Sequence, residues 1–254
     1  MLIHSPLEQF EIISYNFNSD KLNNLQSFIY PTNSALYALI SFLLIGLVYY
    51  SSTYNGTLRP NRWQSIGELT YEFIDGLTKE QLGSHAKNYF PFFFFLFNTV
   101  FFCNLVGMIP YSFTVTSHIA ITGGLALGVF IGINIIGFSI HGLKLFGLFL
   151  PGGSPLALAP LLIGIEFISY TFRVISLAVR LFANMMAGHT LLKILAGFAC
   201  LTYNMNNFGG IIAAFLVLSI IFAITGLELV IAFLQAYVFT ILSCIYLHDA
   251  IFLH

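Results

Sequence analysis

The chain has 254 residues, 58% of them hydrophobic and 7% charged, with a formal net charge of −1. An ordinary soluble domain carries roughly 25% charged residues. This composition cannot clothe a water-facing globule, which excludes a soluble enzyme, a nucleic-acid binder and a disordered chain. A mean hydropathy of +0.89 and 28 phenylalanines fit an all-α integral membrane protein whose main solvent is lipid.

Residues 1–33 are mixed, with Glu8, Glu11, Asp20 and Lys21 among Asn and Ser, and they lack the basic start of a targeting peptide. Residues 34–50 form an uncharged first span, with Tyr49 and Tyr50 suited to the headgroup level. Residues 51–88 hold eight charges: Arg59, Arg62, Glu68, Glu72, Asp75, Lys79, Glu80 and Lys87. Within them Trp63, Ile66, Leu69, Phe73, Ile74, Leu77 and Leu82 recur at helical spacing. This predicts an amphipathic helix over 61–82 that lies along the membrane surface. The bland alternative is a loop helix packed on a partner.

Residues 88–143 contain no Asp, Glu, Lys or Arg, and 89–143 reads as a transmembrane pair turning at Pro110. Asn98 and Asn104 are expected to hydrogen-bond between helices. His118 and His141 lie near span ends, where they carry little functional weight. Pro151-Gly-Gly-Ser-Pro155 breaks the chain. Two apolar segments follow, 156–203 and 209–250, each longer than a perpendicular span and so expected to be a steeply tilted helix of an antiparallel hairpin. The whole, 1–254, reads as a single membrane domain. Cys103, Cys200 and Cys244 sit in apolar stretches and read as packing residues, neither disulfide nor metal set.

Arg59, Arg62, Lys79 and Lys87 put the 51–88 loop on the inner side. The N-terminus, Pro110–Ser117 and Asn204–Gly210 are then outside, and the C-terminus inside.

Charges within membrane helices cost at least about 2.5–3.5 kcal/mol each. The last two helices nevertheless hold Glu166, Arg173, Arg180, His189, Lys193, Glu228 and Asp249. Glu166, Ser169, Arg173, Ser176, Arg180 and Asn184 are spaced 3, 4, 3, 4 and 4 apart. At 100° per residue they form one polar stripe, within about 40° of Arg180. An antiparallel partner turning at Asn204–Gly210 brings Glu166 opposite Asp249, Arg180 opposite Gln235 and His189 opposite Glu228, all at nearly one register. His and Glu have adjustable pKa values, whereas Arg keeps its proton. The pattern reads as two proton-accessible sites divided by a fixed positive charge. The structural alternative is a pair of buried ion pairs that position helices.

These residues resemble a known family. Ser176-Leu-Ala-Val-Arg-Leu-Phe-Ala-Asn-Met-Met-Ala-Gly-His189 and Glu228-Leu-Val-Ile-Ala-Phe-Leu-Gln-Ala-Tyr-Val-Phe-Thr240 are similar to signatures of subunit a of rotary F-type ATP synthases. Ser5-Pro-Leu-Glu-Gln-Phe-Glu-Ile12 resembles the start of fungal mitochondrial members.

The resemblance implies that Arg180 is the essential arginine facing the carboxylate of a rotating c-ring. Asn184, Gln235, Arg173 and Ser176 are its polar neighbours. His189 and Glu228 fall in the intermembrane-space half-channel, in the mitochondrial arrangement; bacterial members exchange the two residue types. Glu166 and Asp249 fall at the matrix half-channel. Met1–His4 would be a removable leader. The resemblance further implies the inner mitochondrial membrane, no cofactor, and as partners the c-ring, peripheral-stalk subunit b, subunit 8, subunit f and other small membrane subunits, lipid, and a second synthase in a dimer.

Nothing here resembles a Gly-x-x-x-x-Gly-Lys-Ser/Thr phosphate loop, so the chain itself is not expected to make ATP. The rivals are a stand-alone ion-coupled transporter and a membrane subunit of a redox-driven proton pump. The first should show paired repeats or broken helices, and the second histidines set for haem. The sequence shows neither.

Overall fold

The protein was analysed as a computed structural model, which describes residues 6–13, 32–54, 56, 59–109, 112–142, 159–204 and 208–252. Among the described residues six α-helices follow one another: α1 (Asn33–Thr53), α2 (Arg62–Leu82), α3 (Ala86–Gly107), α4 (Ile119–His141), α5 (Ala159–Tyr203) and α6 (Phe208–Ile251). All but α2 are long and apolar enough to cross a membrane. The fold is that of an all-α integral membrane protein. The Pro151–Pro155 breaker lies outside the described residues.

At 1.5 Å per residue, the 45 residues of α5 make a rod of about 67 Å. A hydrocarbon core is only about 30 Å thick. The length alone therefore requires steep inclination or long extension beyond the core.

The chain divides into two compact units. The first comprises Met1–Ile45, Thr99–His118 and Phe182–Gln235. The second comprises Gly46–Asn98, Ile119–Leu181 and Ala236–His254.

In the first unit the Ser41 hydroxyl lies 3.3 Å from Cys103 Sγ, joining α1 to α3. Phe101 meets Phe233 edge to face at 5.9 Å, joining α3 to α6. Asn104, fully buried, donates to the Ala232 carbonyl at 3.3 Å. Before α1, Asn33 donates to the Glu11 carbonyl at 2.9 Å and accepts from the Ile13 and Ser34 amides. His118 stacks on Phe113, with ring centroids 5.1 Å apart, and burial pushes its imidazole below the usual value.

In the second unit the Tyr49 hydroxyl donates to Asn98 Oδ1 at 2.8 Å and lies 3.2 Å from Thr70 Oγ1, tying α1 to α3 and α2. Asn98 and Asn104 thus both reach other helices, as polar groups in an apolar solvent must. Tyr170 on α5 donates to Asn134 of α4 at 2.9 Å. His141 at the end of α4 lies 2.8 Å from the Ile251 carbonyl of α6.

Helix α2 starts on Asn61, whose side chain accepts from the Arg62 amide. Its expected single apolar face is in fact divided. Ile74, Leu77 and Leu82 are buried in the protein, whereas Trp63, Ile66 and Leu69 are exposed. The second set faces out because α2 has more apolar residues than the protein can cover. One cysteine also departs from expectation. Cys103 and Cys244 are buried, but Cys200 is exposed, beside the exposed Phe198 and Leu201 of α5.

Candidate functional site

Ionisable residues of α5 and α6 meet the facing helix at two places among the described residues, one in each unit. In the first unit, Glu228 of α6 points at the backbone of α5. A Cβ at Gly188 would lie 2.6 Å from Glu228 Oε1. Only glycine at 188 lets the carboxylate approach so closely. His189 follows Gly188 directly in the chain, but no hydrogen bond or ion pair joins it to Glu228 among the described residues.

Glu228 is 7% exposed. Neither of its oxygens has a hydrogen-bond partner among the described residues, and neither has buried His189 Nε2. Asn104 Oδ1 is likewise buried without a partner. Asn104 binds Ala232, one helical turn beyond Glu228, or about 6 Å along α6. Buried polar atoms of this kind are ordinarily satisfied by water. Gly188 is the residue that sequence reasoning missed. Its signal was a small residue just before the ionisable one, opposite a long acidic side chain.

In the second unit, Arg173 donates through Nη1 to Asp249 Oδ2 at 3.3 Å. The guanidinium also lies over the Tyr246 ring, 5.7 Å from its centroid. His248 Nδ1 is 3.8 Å from the other Asp249 oxygen. Both partners of the Arg173–Asp249 pair are 36% exposed. The expected facing of Glu166 and Asp249 is therefore replaced. Asp249 pairs with Arg173, two turns along the same stripe, because opposite charges hold a register that two carboxylates would resist. Glu166 is half-buried, with no hydrogen bond or ion pair among the described residues.

Arg180 lies seven residues beyond Arg173 on the same face of α5. It is exposed and makes no hydrogen bond or ion pair among the described residues, although its charge reaches Tyr246. Ser176, one turn before it, and Asn184, one turn after it, are also exposed. The stripe passes among bare Phe172, Ile175 and Val179. Gln235 is half-buried on α6.

A helical membrane protein with an unpaired arginine on an outward stripe and two separate carboxylate clusters belongs among the proteins that move ions or protons. Comparison with known proteins narrows the class. The family model for the ATP synthase A chain matches residues 35–248. The chain is 52% identical to ATP synthase subunit a of Chondrus crispus, covering 100% of this chain and 98% of that relative. It is 52% identical to that of Marchantia polymorpha, over 98% of this chain and 99% of the relative. It is 47% identical to that of Pelagibacter ubique, over 98% of each. The chain belongs to the ATP synthase subunit a family, and as such is a membrane-sector component of an ATP synthase.

Proposed function

We propose that this chain is the non-catalytic, proton-translocating stator subunit of the synthase. It offers a c-ring two offset proton paths and separates them with Arg180. The observation that carries the reading is Arg180 itself: a permanent cation at the middle of an apolar helix, exposed, with no carboxylate of its own among the described residues. Such a charge is too costly to leave facing lipid. A carboxylate on a neighbouring ring supplies its counter-ion.

A proton enters past His189 and Glu228 and neutralises a ring carboxylate, which then crosses lipid as a neutral group. After nearly a full turn the carboxylate meets the inner path, near Glu166 and Asp249, and releases the proton. Arg180 favours the ionised carboxylate and blocks a direct leak, since a guanidinium does not pass its proton on. The buried, unpartnered oxygens of Glu228 support a watered entry path. The driving force is about 2.3 kcal/mol per charge per 100 mV.

The topology read from the loop charges puts the N-terminus in the intermembrane space and the C-terminus in the matrix, across the inner mitochondrial membrane. The partners are the c-ring, subunit b, subunit 8, subunit f and other small membrane subunits, with a second synthase in a dimer.

The test is ATP-driven acidification of inverted membrane vesicles carrying Arg180→Gln, at equal abundance of assembled complex. Pumping is expected to disappear. Undiminished pumping would reduce Arg180 to a structural charge and overturn the reading.

A further inference from the structure

Away from both clusters, the second unit contains an open cleft of 710 Å³ bounded by the end of α1, one face of α2 and the start of α3. Its lining includes Glu68 and Glu72, the rings of Tyr49, Tyr71 and Phe94, and Ser52, with no Lys or Arg among the described residues that line it. We propose that this cleft binds the ammonium headgroup of a membrane phospholipid.

Charge comes first. Glu68 and Glu72 are four residues apart, so they share one face of α2 and repel each other. Glu68 accepts from Gln64 at 2.8 Å, while Glu72 has no hydrogen bond among the described residues. The nearby cation Lys79 is committed elsewhere, to Asp75. A ligand ammonium between the two carboxylates relieves their repulsion.

The rings supply a second attraction. Phe94 lies 5.1 Å from Tyr49 at 60° and 6.1 Å from Tyr71 at 57°. Phe94 is thus tilted against both tyrosines, and all three rings line the same space. A cation within about 6 Å of such faces is held by the ring quadrupoles. The Tyr49 ring is fixed in place by its bonds to Asn98 and Thr70.

A third group suits the other half of a zwitterionic headgroup. Ser52 is 9% exposed, lines the cleft, and has no side-chain hydrogen bond among the described residues. Gly67 allows α2 to press against it, since a Cβ there would collide with Ser52 Oγ. Its hydroxyl is a free donor for a phosphate oxygen.

Lipid is favoured over a partner's lysine by location. The cleft opens where α1 ends, beside the exposed Trp63, Ile66 and Leu69 of α2. An amphipathic helix with outward apolar side chains lies at the headgroup boundary, where acyl chains can cover them.

Two experiments on the assembled complex test this. Delipidated complex in detergent is titrated with dioleoyl phosphatidylethanolamine, phosphatidylcholine or phosphatidylglycerol, and lipid retained on this subunit is read by native mass spectrometry. The two ammonium lipids are expected to be retained about fivefold better than phosphatidylglycerol, and the Glu68→Gln/Glu72→Gln pair to erase the difference. Equal retention of all three lipids, or selectivity that survives the double variant, would overturn the proposal. Native membranes are also treated with a carbodiimide, which joins a carboxylate to a primary amine in contact with it. A peptide carrying Glu68 or Glu72 coupled to phosphatidylethanolamine supports the proposal. Coupling of the same peptide to a lysine of a neighbouring subunit overturns it. This second arm decides the matter on the native chain should the double variant fail to assemble.

Discussion

Glu228 and Asp249 lie on the same helix, 21 residues apart, yet their surroundings are opposite. Asp249 is 36% exposed, paired with Arg173 and close to His248. Glu228 is 7% exposed, pressed against a glycine, with both oxygens unpartnered among the described residues. A carboxylate paired across the helices ties α5 to α6. An unpaired, enclosed one is costly to charge, and its state depends on what reaches it. The first is built to be a fixture and the second to change.

The contrast can be broken most sharply at Glu228. Replacing it with Gln removes the exchangeable proton and is expected to cut ATP-driven proton pumping by about a hundredfold, within the usual range for a positioned acid or base. A residual rate near that of the native protein would show that the entry path does not need this carboxylate. Next in size is Gly188→Ala. Its added Cβ displaces the Glu228 carboxylate, and pumping should fall about tenfold, a barrier change near 1.4 kcal/mol. The shorter Glu228→Asp placed on top of it should recover part of that loss. A double variant no better than Gly188→Ala alone would place the fault in helix packing instead. Asp249→Asn is expected to slow pumping only a few-fold, since the Arg173 guanidinium still lies over the Tyr246 ring, and the comparison fails if it exceeds Glu228→Gln. The smallest effect belongs to Lys79→Ala. Its hydrogen bond to Asp75 raises the ammonium pKa, but the pair lies on the open face of α2. Complex abundance on native gels should not change.

Much of this arrangement was legible in the residues. Long apolar runs marked the five spans, the first three of them without a charge in their apolar stretches, and apolar residues at helical spacing among charges marked α2, because lipid tolerates few exceptions to either rule. The meeting of Glu228 with the Gly188–His189 turn followed from folding one long helix back on another. That register did not extend to the far end. Long helices that pack at an angle do not keep one register over their whole length. Ion pairing then selected Arg173 for Asp249 over the expected Glu166. The division of the apolar face of α2 was invisible too, since sequence spacing shows which residues are apolar but not how much of them the rest of the chain covers. The acidic cleft was hidden for a related reason: its three rings come from three different helices.

Asn33 has a consequence of another kind. Its one side chain fastens Glu11 and Ile13 while also accepting from the Ser34 amide at the start of α1. During synthesis the earlier residues emerge from the ribosome first, yet the group that holds them appears some twenty residues later, at the threshold of the first span. The leading segment therefore acquires its place only once that span has begun to form, and the insertion of α1 sets the moment at which the beginning of the chain is tied down.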